Sequence, residues 1–287
     1  MSGLLNAIGE WFRELFVGGI ISNFTSMFDE VNTKVGEIAS DVGQTPLGWN
    51  APVYNMIKTL SETVIIPVAG MILTFVLCYE LITMITEKNN MAEFDTFNLF
   101  KWFFKTFVAA YILTHTFDIV MGVFTVAQWA VNKSAGVIGS RLDIVMAMAD
   151  LEAQLAAMGI GELIGLYLES AILGLAMKAI SLCVFIIIYG RMIEIYLTCS
   201  LAPIPLATMV NHEWGSMGNN YLKSLFALAF QGFLIMVCVA IYAILLQSVT
   251  SSSNIHTAVW GCAGYSVLLC LTLFRSSNLA KGILGAH

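Results

Sequence analysis

The residues able to do chemistry in this chain are few, and most stand inside apolar runs. His115 and Asp118 lie three positions apart, which places both on one face of a helix. Lys178 lies near the middle of a later apolar run. Charge at bilayer depth is unfavourable and is usually turned toward protein or water. An Asp118–Lys178 pair at matching depth is therefore the expected neutralisation. It would serve either as a proton or ion relay or as an ion pair that fixes helix register, and the structural role weighs more heavily. Glu80, Arg191 and Glu194 fall near the ends of their runs. There a Glu80–Arg191 contact competes with Arg191 snorkelling to the interface unaided. Gln231, a lone polar group in a further run, reads as a hydrogen-bonding link between helices.

Catalytic and metal patterns do not assemble from these residues. His212-Glu213 lacks the second histidine of H-E-x-x-H. Phosphate-binding glycine loops and the G-x-S-x-G nucleophile turn are absent from the sequence. His115, His212, His256 and His287 are scattered along the chain, so no metal cluster is expected. Cys78, Cys183, Cys199, Cys238, Cys262 and Cys270 all sit in apolar stretches without C-x-x-C spacing, and read as small hydrophobic residues. The expectation is a protein that is not an enzyme and has no cofactor, with bound lipids compatible with its surface.

The elements that must carry these residues follow from composition. The chain is 58% hydrophobic and 11% charged, with mean hydropathy +0.82. Soluble domains carry roughly 25% charged residues. A water-soluble globule of this length could not cover so much apolar surface, whereas lipid solvates it. The predicted fold class is all-α: a polytopic integral membrane protein with about five transmembrane helices, one unusually long, plus amphipathic helices. The net charge of −6 argues against direct nucleic-acid binding.

Residues 1–20 place Leu4, Leu5, Ile8, Trp11, Phe12, Leu15 and Phe16 at helical spacing. This stripe suits the membrane interface or a neighbouring subunit. Residues 21–51 are polar, with Gly43, Pro46, Gly48 and Asn50 as loop signals, and Asn50 followed by Pro52 marks a helix start. Residues 1–51 are thus expected to form an extracellular or interfacial region, and 52–287 the transmembrane domain. Its spans are expected at about 64–85, 103–131, 164–201, 222–249 and 258–274. Trp102 and Trp129 flank the second span, and their 27-residue step covers roughly 40 Å of straight helix. With Trp214 and Trp260 they are the expected interface anchors. Ile144, Met148, Leu151, Leu155 and Met158 make a second amphipathic stripe. The third apolar segment is about twice the length one crossing needs, and reads as one long helix rather than a tight hairpin. Pro203 and Pro205 break it at an elbow. Residues 251–254 form a turn.

Orientation follows from the basic residues. With the N-terminus outside, the short inner segments hold Lys88, Lys101, Lys105, Arg191, Lys223, Arg275 and Lys281. The longer outer segments hold Arg13, Lys34, Lys58, Lys133 and Arg141. The density is higher inside, which matches the positive-inside pattern. Residues 1–20 show no secretory signal, so insertion is expected to use the internal spans. The expected location is the plasma membrane, with the C-terminus cytoplasmic.

The stretch 191–209, RMIEIYLTCSLAPIPLATM, carries a resemblance. It is followed by a loop with His212, Glu213, Trp214 and Gly215, then by YLKSLFALAFQGFLIMV from Tyr221. A long helix ending in a proline elbow, a Trp/Gly loop and another span resemble the TrbL family of conjugal transfer proteins. These are the VirB-six-like polytopic subunits of type IV secretion systems, and the layout is most similar to versions from Gram-positive conjugative elements. The resemblance implies a non-catalytic channel or scaffold subunit that supports DNA and protein transfer between cells. It implies a homo-oligomer with a transfer ATPase, a coupling protein and a peptidoglycan hydrolase as partners, membrane lipids around it, and DNA contacted only indirectly. The alternative is a stand-alone transporter or ion channel using His115, Asp118 and Lys178.

Overall fold

The structure, a computed structural model, describes residues 2–86, 96–138, 148–211, 213–250 and 255–286. Lys88, Arg141, Ile144, His212, His287 and the 251–254 turn lie outside the described residues. The described chain is helical: α1 (Ser2–Val42), α2 (Pro46–Trp49), α3 (Ala51–Leu60), α4 (Ile66–Thr86), α5 (Thr96–Thr114), α6 (Thr116–Ile138), α7 (Met148–Ala157), α8 (Ile160–Ser200), α9 (Pro203–Thr208), α10 (Gly215–Thr250) and α11 (Ile255–Leu284). Among the described residues, four stretches are long and apolar enough to cross a membrane: Ala51–Thr86, Ile160–Ser200, Gly215–Ser248 and Trp260–Leu284. The bent pair α5–α6 makes a fifth if it counts as one broken span. The chain is a polytopic α-helical membrane protein.

Two compact units are formed from separate chain segments. The first comprises Met1–Val42, Lys133–Ile188 and Ile235–Arg275. Here the helix expected over residues 1–20 extends through the polar stretch to Val42, just before the loop signal Gly43. Ile20, Phe24, Met27, Ile38 and Val42 are buried at helical spacing, a stripe that polar neighbours hide in the sequence. Gly19 faces Tyr167, where an added Cβ would come within 2.6 Å of the ring, so the small residue permits close approach. Polar links hold the unit as well. Asn23 donates to Ser170 Oγ at 2.9 Å, Arg13 donates to the Ala156 carbonyl at 2.6 Å, and Tyr242 meets Ser266 at 2.6 Å.

The second unit comprises Gly43–Asn132, Tyr189–Leu234 and Ser276–His287. Asn50 caps α3 as expected, its Oδ1 accepting from the Val53 N–H at 3.0 Å. The first apolar helix therefore starts at Ala51, earlier than hydropathy alone suggests. A π-helical turn at Ser61–Ile65 joins α3 to α4, with the Ile66 N–H bonded to the Ser61 carbonyl. Pro67 explains it. The ring has no N–H and would clash with the carbonyl four residues back, so the wider turn relieves the strain.

The second apolar segment is not straight. It breaks at His115 with a 68° bend between α5 and α6. No proline is present there, and the cause is the Thr114-His115-Thr116 triplet. Thr116 Oγ1 donates to the Ile112 and Leu113 carbonyls at 2.8 and 2.9 Å. Thr114 Oγ1 donates to the Ala110 carbonyl at 3.1 Å, and His115 Nδ1 lies 3.0 Å from the Tyr111 carbonyl. Side chains that engage the carbonyls of the preceding turn bend helices and keep those carbonyls satisfied without water. The straight 40 Å between Trp102 and Trp129 is accordingly corrected to roughly 33 Å, from two arms of about 20 Å meeting at that bend.

Replacing Thr114 and Thr116 together by valine removes the bonds that stabilise the bend. Spin labels at positions 102 and 129 should then move apart from roughly 33 Å toward 40 Å. An unchanged label distance would show that packing alone sets the bend.

Candidate functional site at the proline elbow

The elbow belongs to the second unit. α8 runs unbroken for 41 residues and stops at Ser200, so the long-helix reading holds. Pro203 and Pro205 cannot donate to the carbonyls four residues before them, those of Cys199 and Leu201. Both carbonyls find tighter partners, as the Ala202 N–H reaches Cys199 O at 3.3 Å and the Ile204 N–H reaches Leu201 O at 3.2 Å. The chain turns without leaving either group bare. It then enters α9 with Pro203 in its first turn, where a missing N–H does no harm.

Once turned, α9 is buried along Pro203, Leu206, Ala207 and Thr208. Ala207 packs into an apolar cluster with Ala69, Leu73 and Leu77 of α4 and Ala109 and Leu113 of α5. Ala202 and Leu206 join a second cluster with Ile57, Phe117, Met192, Ile195 and Leu225. The elbow thus ties α4 and α5 to α8 and α10. Irregular backbone at membrane depth requires surrounding protein, and here it has it.

The loop after α9 is held as tightly. Asn211 is buried, and its Oδ1 accepts from the Glu213 and Trp214 N–H groups at 2.8 and 3.3 Å. Trp214 stacks on Phe75 and Tyr79 of α4, with ring centroids 5.6 and 5.8 Å apart. The Tyr79 hydroxyl donates to Glu213 Oε2 at 3.2 Å. Gly218, one turn into α10, closes the corner: an added Cβ would lie 1.9 Å from Met209 Cγ and 2.6 Å from the Pro205 carbonyl oxygen. Beside the loop, the end of α4 and the start of α5 enclose a cleft of about 600 Å³. Glu80 and Lys105 form an ion pair at its wall, and Lys101, Trp102 and Glu213 also line it.

Several of the residues singled out in the sequence have defined partners in the structure. Asp118 has a partner within the second unit. Its Oδ1 accepts from Lys58 Nζ at 3.1 Å, and Lys58 also faces Glu62 at 3.7 Å. Asp118 stands in the first turn of α6, where the helix dipole favours a negative charge. Lys178 lies in the first unit and lines a pocket with Asn23 and Glu30. His115 stacks on Tyr111 at 4.3 Å. Of the two readings left open for Glu80 and Arg191, the contact between them is not the pairing seen, since Glu80 takes Lys105. Arg191 is buried, and its Nε has no hydrogen-bond partner among the described residues. Glu194 faces Lys281 at 3.6 Å. Gln231 donates to Ser276 Oγ at 3.1 Å, linking α10 to α11. Trp102 is half-buried at the cleft, while Trp129 and Trp260 are exposed. Lys58, Lys105 and Tyr79 were not singled out. Lys58 was assigned to an outer segment, but a start at Asn50 puts it two turns inside a helix.

Two measurements follow from these contacts. Gly218→Ala should lower stability by about 2 kcal/mol through overpacking, whereas Gly122→Ala, with open space around it, should be neutral or slightly stabilising. Melting of both variants in detergent compares them directly. A double-mutant cycle should give about 1 kcal/mol of coupling between Lys58 and Asp118, and a coupling within error of zero would show that the contact contributes nothing.

Comparison with known families matches residues 31–203 to the TrbL/VirB6 plasmid conjugal transfer-like family. The match covers more than half of the chain and includes α8 up to the first elbow proline. The Trp/Gly loop and the helix after it lie beyond the matched region. No curated protein and no solved structure matches the chain. The chain belongs to the TrbL/VirB6 plasmid conjugal transfer-like family.

Proposed function

We propose that this protein is a membrane-channel and scaffold subunit of a conjugative type IV secretion system, and supports the transfer of DNA and protein between cells. The observation that carries the reading is the family match over residues 31–203 on a chain built of apolar, membrane-crossing helices. The protein acts without catalysis of its own, and energy comes from a transfer ATPase and coupling protein in the same machine. A peptidoglycan hydrolase completes the set of partners.

Exposed apolar faces favour assembly. Ile8, Trp11, Phe12 and Leu15 of α1 are exposed although α1 is not one of the membrane-crossing helices. Such a stripe is stable against lipid or a second copy of the chain. The plasma membrane with the N-terminus outside fits the basic residues, and bound lipids fill gaps between copies. DNA is contacted indirectly, in keeping with the net charge of −6. The Lys58–Asp118 contact gives Asp118 a structural role, which favours the scaffold reading over the stand-alone transporter.

Deletion of the gene should abolish conjugation, and expression in trans should restore it. The tagged protein should co-purify with the transfer ATPase and coupling protein. Intact transfer in the deletion strain, together with an altered solute gradient, would return the transporter reading.

A further inference from the structure

The cleft between the ends of α4 and α5 holds polar groups that the elbow does not use. Trp102 Nε1 is a buried donor without a hydrogen-bond partner among the described residues. Glu80 Oε2 is a buried acceptor without one, although the other carboxylate oxygen pairs with Lys105. Both residues line the same cleft. Leaving buried polar groups unpaired costs about 1–3 kcal/mol each, and a polar ligand lodged between these two lining residues would relieve both costs. Lys101 lines the cleft with its ammonium 4.5 Å from the Phe97 ring centroid. No salt-bridge partner for Lys101 occurs among the described residues.

The depth of the cleft identifies the surroundings of that ligand. Its α4 residues lie in the last turns before Thr86 and its α5 residues in the first turns after Thr96, where the apolar runs give way to polar sequence. Tryptophan, tyrosine and lysine at this level mark the headgroup region of a bilayer. Beside Trp102, Phe103 packs edge-on at 5.2 Å, and Phe103 and Phe107 are 59% and 70% exposed one turn apart on α5. A polar slot opening beside an exposed apolar ridge fits a molecule with a polar head and apolar tails.

We propose that this cleft is a phospholipid headgroup site. The phosphodiester is held by the Lys101 ammonium and the Trp102 indole N–H. The end of the headgroup, a hydroxyl or a primary ammonium, donates to Glu80 Oε2. Acyl chains lie along Phe103 and Phe107. Lys105 neutralises Glu80, so the carboxylate accepts this bond without repelling the phosphate strongly. A choline headgroup has no N–H or O–H to give and leaves Glu80 Oε2 unpaired.

The test uses the full chain, delipidated in detergent and supplied with phosphatidylglycerol, phosphatidylethanolamine, phosphatidylcholine or soluble glycerol-3-phosphate. Unfolding temperature and retained lipid by native mass spectrometry are the readouts. Either donor-bearing phospholipid should raise the unfolding temperature by about 3 °C over phosphatidylcholine. Trp102→Phe, which keeps a ring and removes the N–H, and Lys101→Ala on an exposed position should each abolish most of that increment while helix content by circular dichroism stays unchanged. Equal stabilisation by phosphatidylcholine would overturn the proposal. So would an increment that survives in both variants, or one that glycerol-3-phosphate reproduces alone, which would make the site one for a soluble phosphate.

Discussion

Every break in a helix that crosses lipid must satisfy its own backbone, because the hydrocarbon offers no water to do it. The architecture depends on how this chain meets that requirement. The π-helical turn before Pro67 widens the helix so that Ile66 still finds a carbonyl. At His115, side-chain hydroxyls take over carbonyls in the bend. At the elbow, tight turns return N–H groups to the carbonyls that the two prolines abandon. Each device is local, so the carbonyls at each break find donors within a turn of the chain. What the neighbours add is burial.

That burial gives the elbow its importance. α9 is a short element, yet its residues enter two apolar clusters that together involve α4, α5, α8 and α10. Around it the polar contacts are directional: an asparagine capping the loop, a tryptophan stacked on α4, and a tyrosine hydroxyl on Glu213. Gly218 allows α10 to start hard against Met209 and Pro205. A joint packed this densely transmits displacement rather than absorbing it. For a subunit of a transfer machine, that is a suitable property at the point where the 41-residue α8 ends.

Three ion pairs inside the second unit share a pattern. Lys58 with Asp118, Lys105 with Glu80, and Lys281 with Glu194 each join chain segments distant in sequence. In each case the partners sit on different helices. Such pairs contribute modest stability, and what they specify is which helices meet and at what height. The first unit places Glu169 against His256, 2.8 Å apart, in a similar arrangement.

The sequence by itself determined the membrane class, the unbroken α8, the capped start at Asn50 and the elbow at Pro203 and Pro205. These follow from the length of apolar runs and from the geometry of proline and asparagine, which act within a few residues. It also carried the family resemblance. The continuation of α1 to Val42 was legible only in part, since its buried stripe is diluted by polar neighbours, and the bend at His115 was written in two threonines whose back-bonding competes weakly with helix propagation. Only the tertiary structure decided the partners of the charges and the composition of the cleft. The Lys58 partner of Asp118 was not legible by apparent depth, because depth read from hydropathy shifts when a helix starts more than three turns earlier or bends midway. Pairing across helices is set by those starts and bends together, and no single segment contains that information.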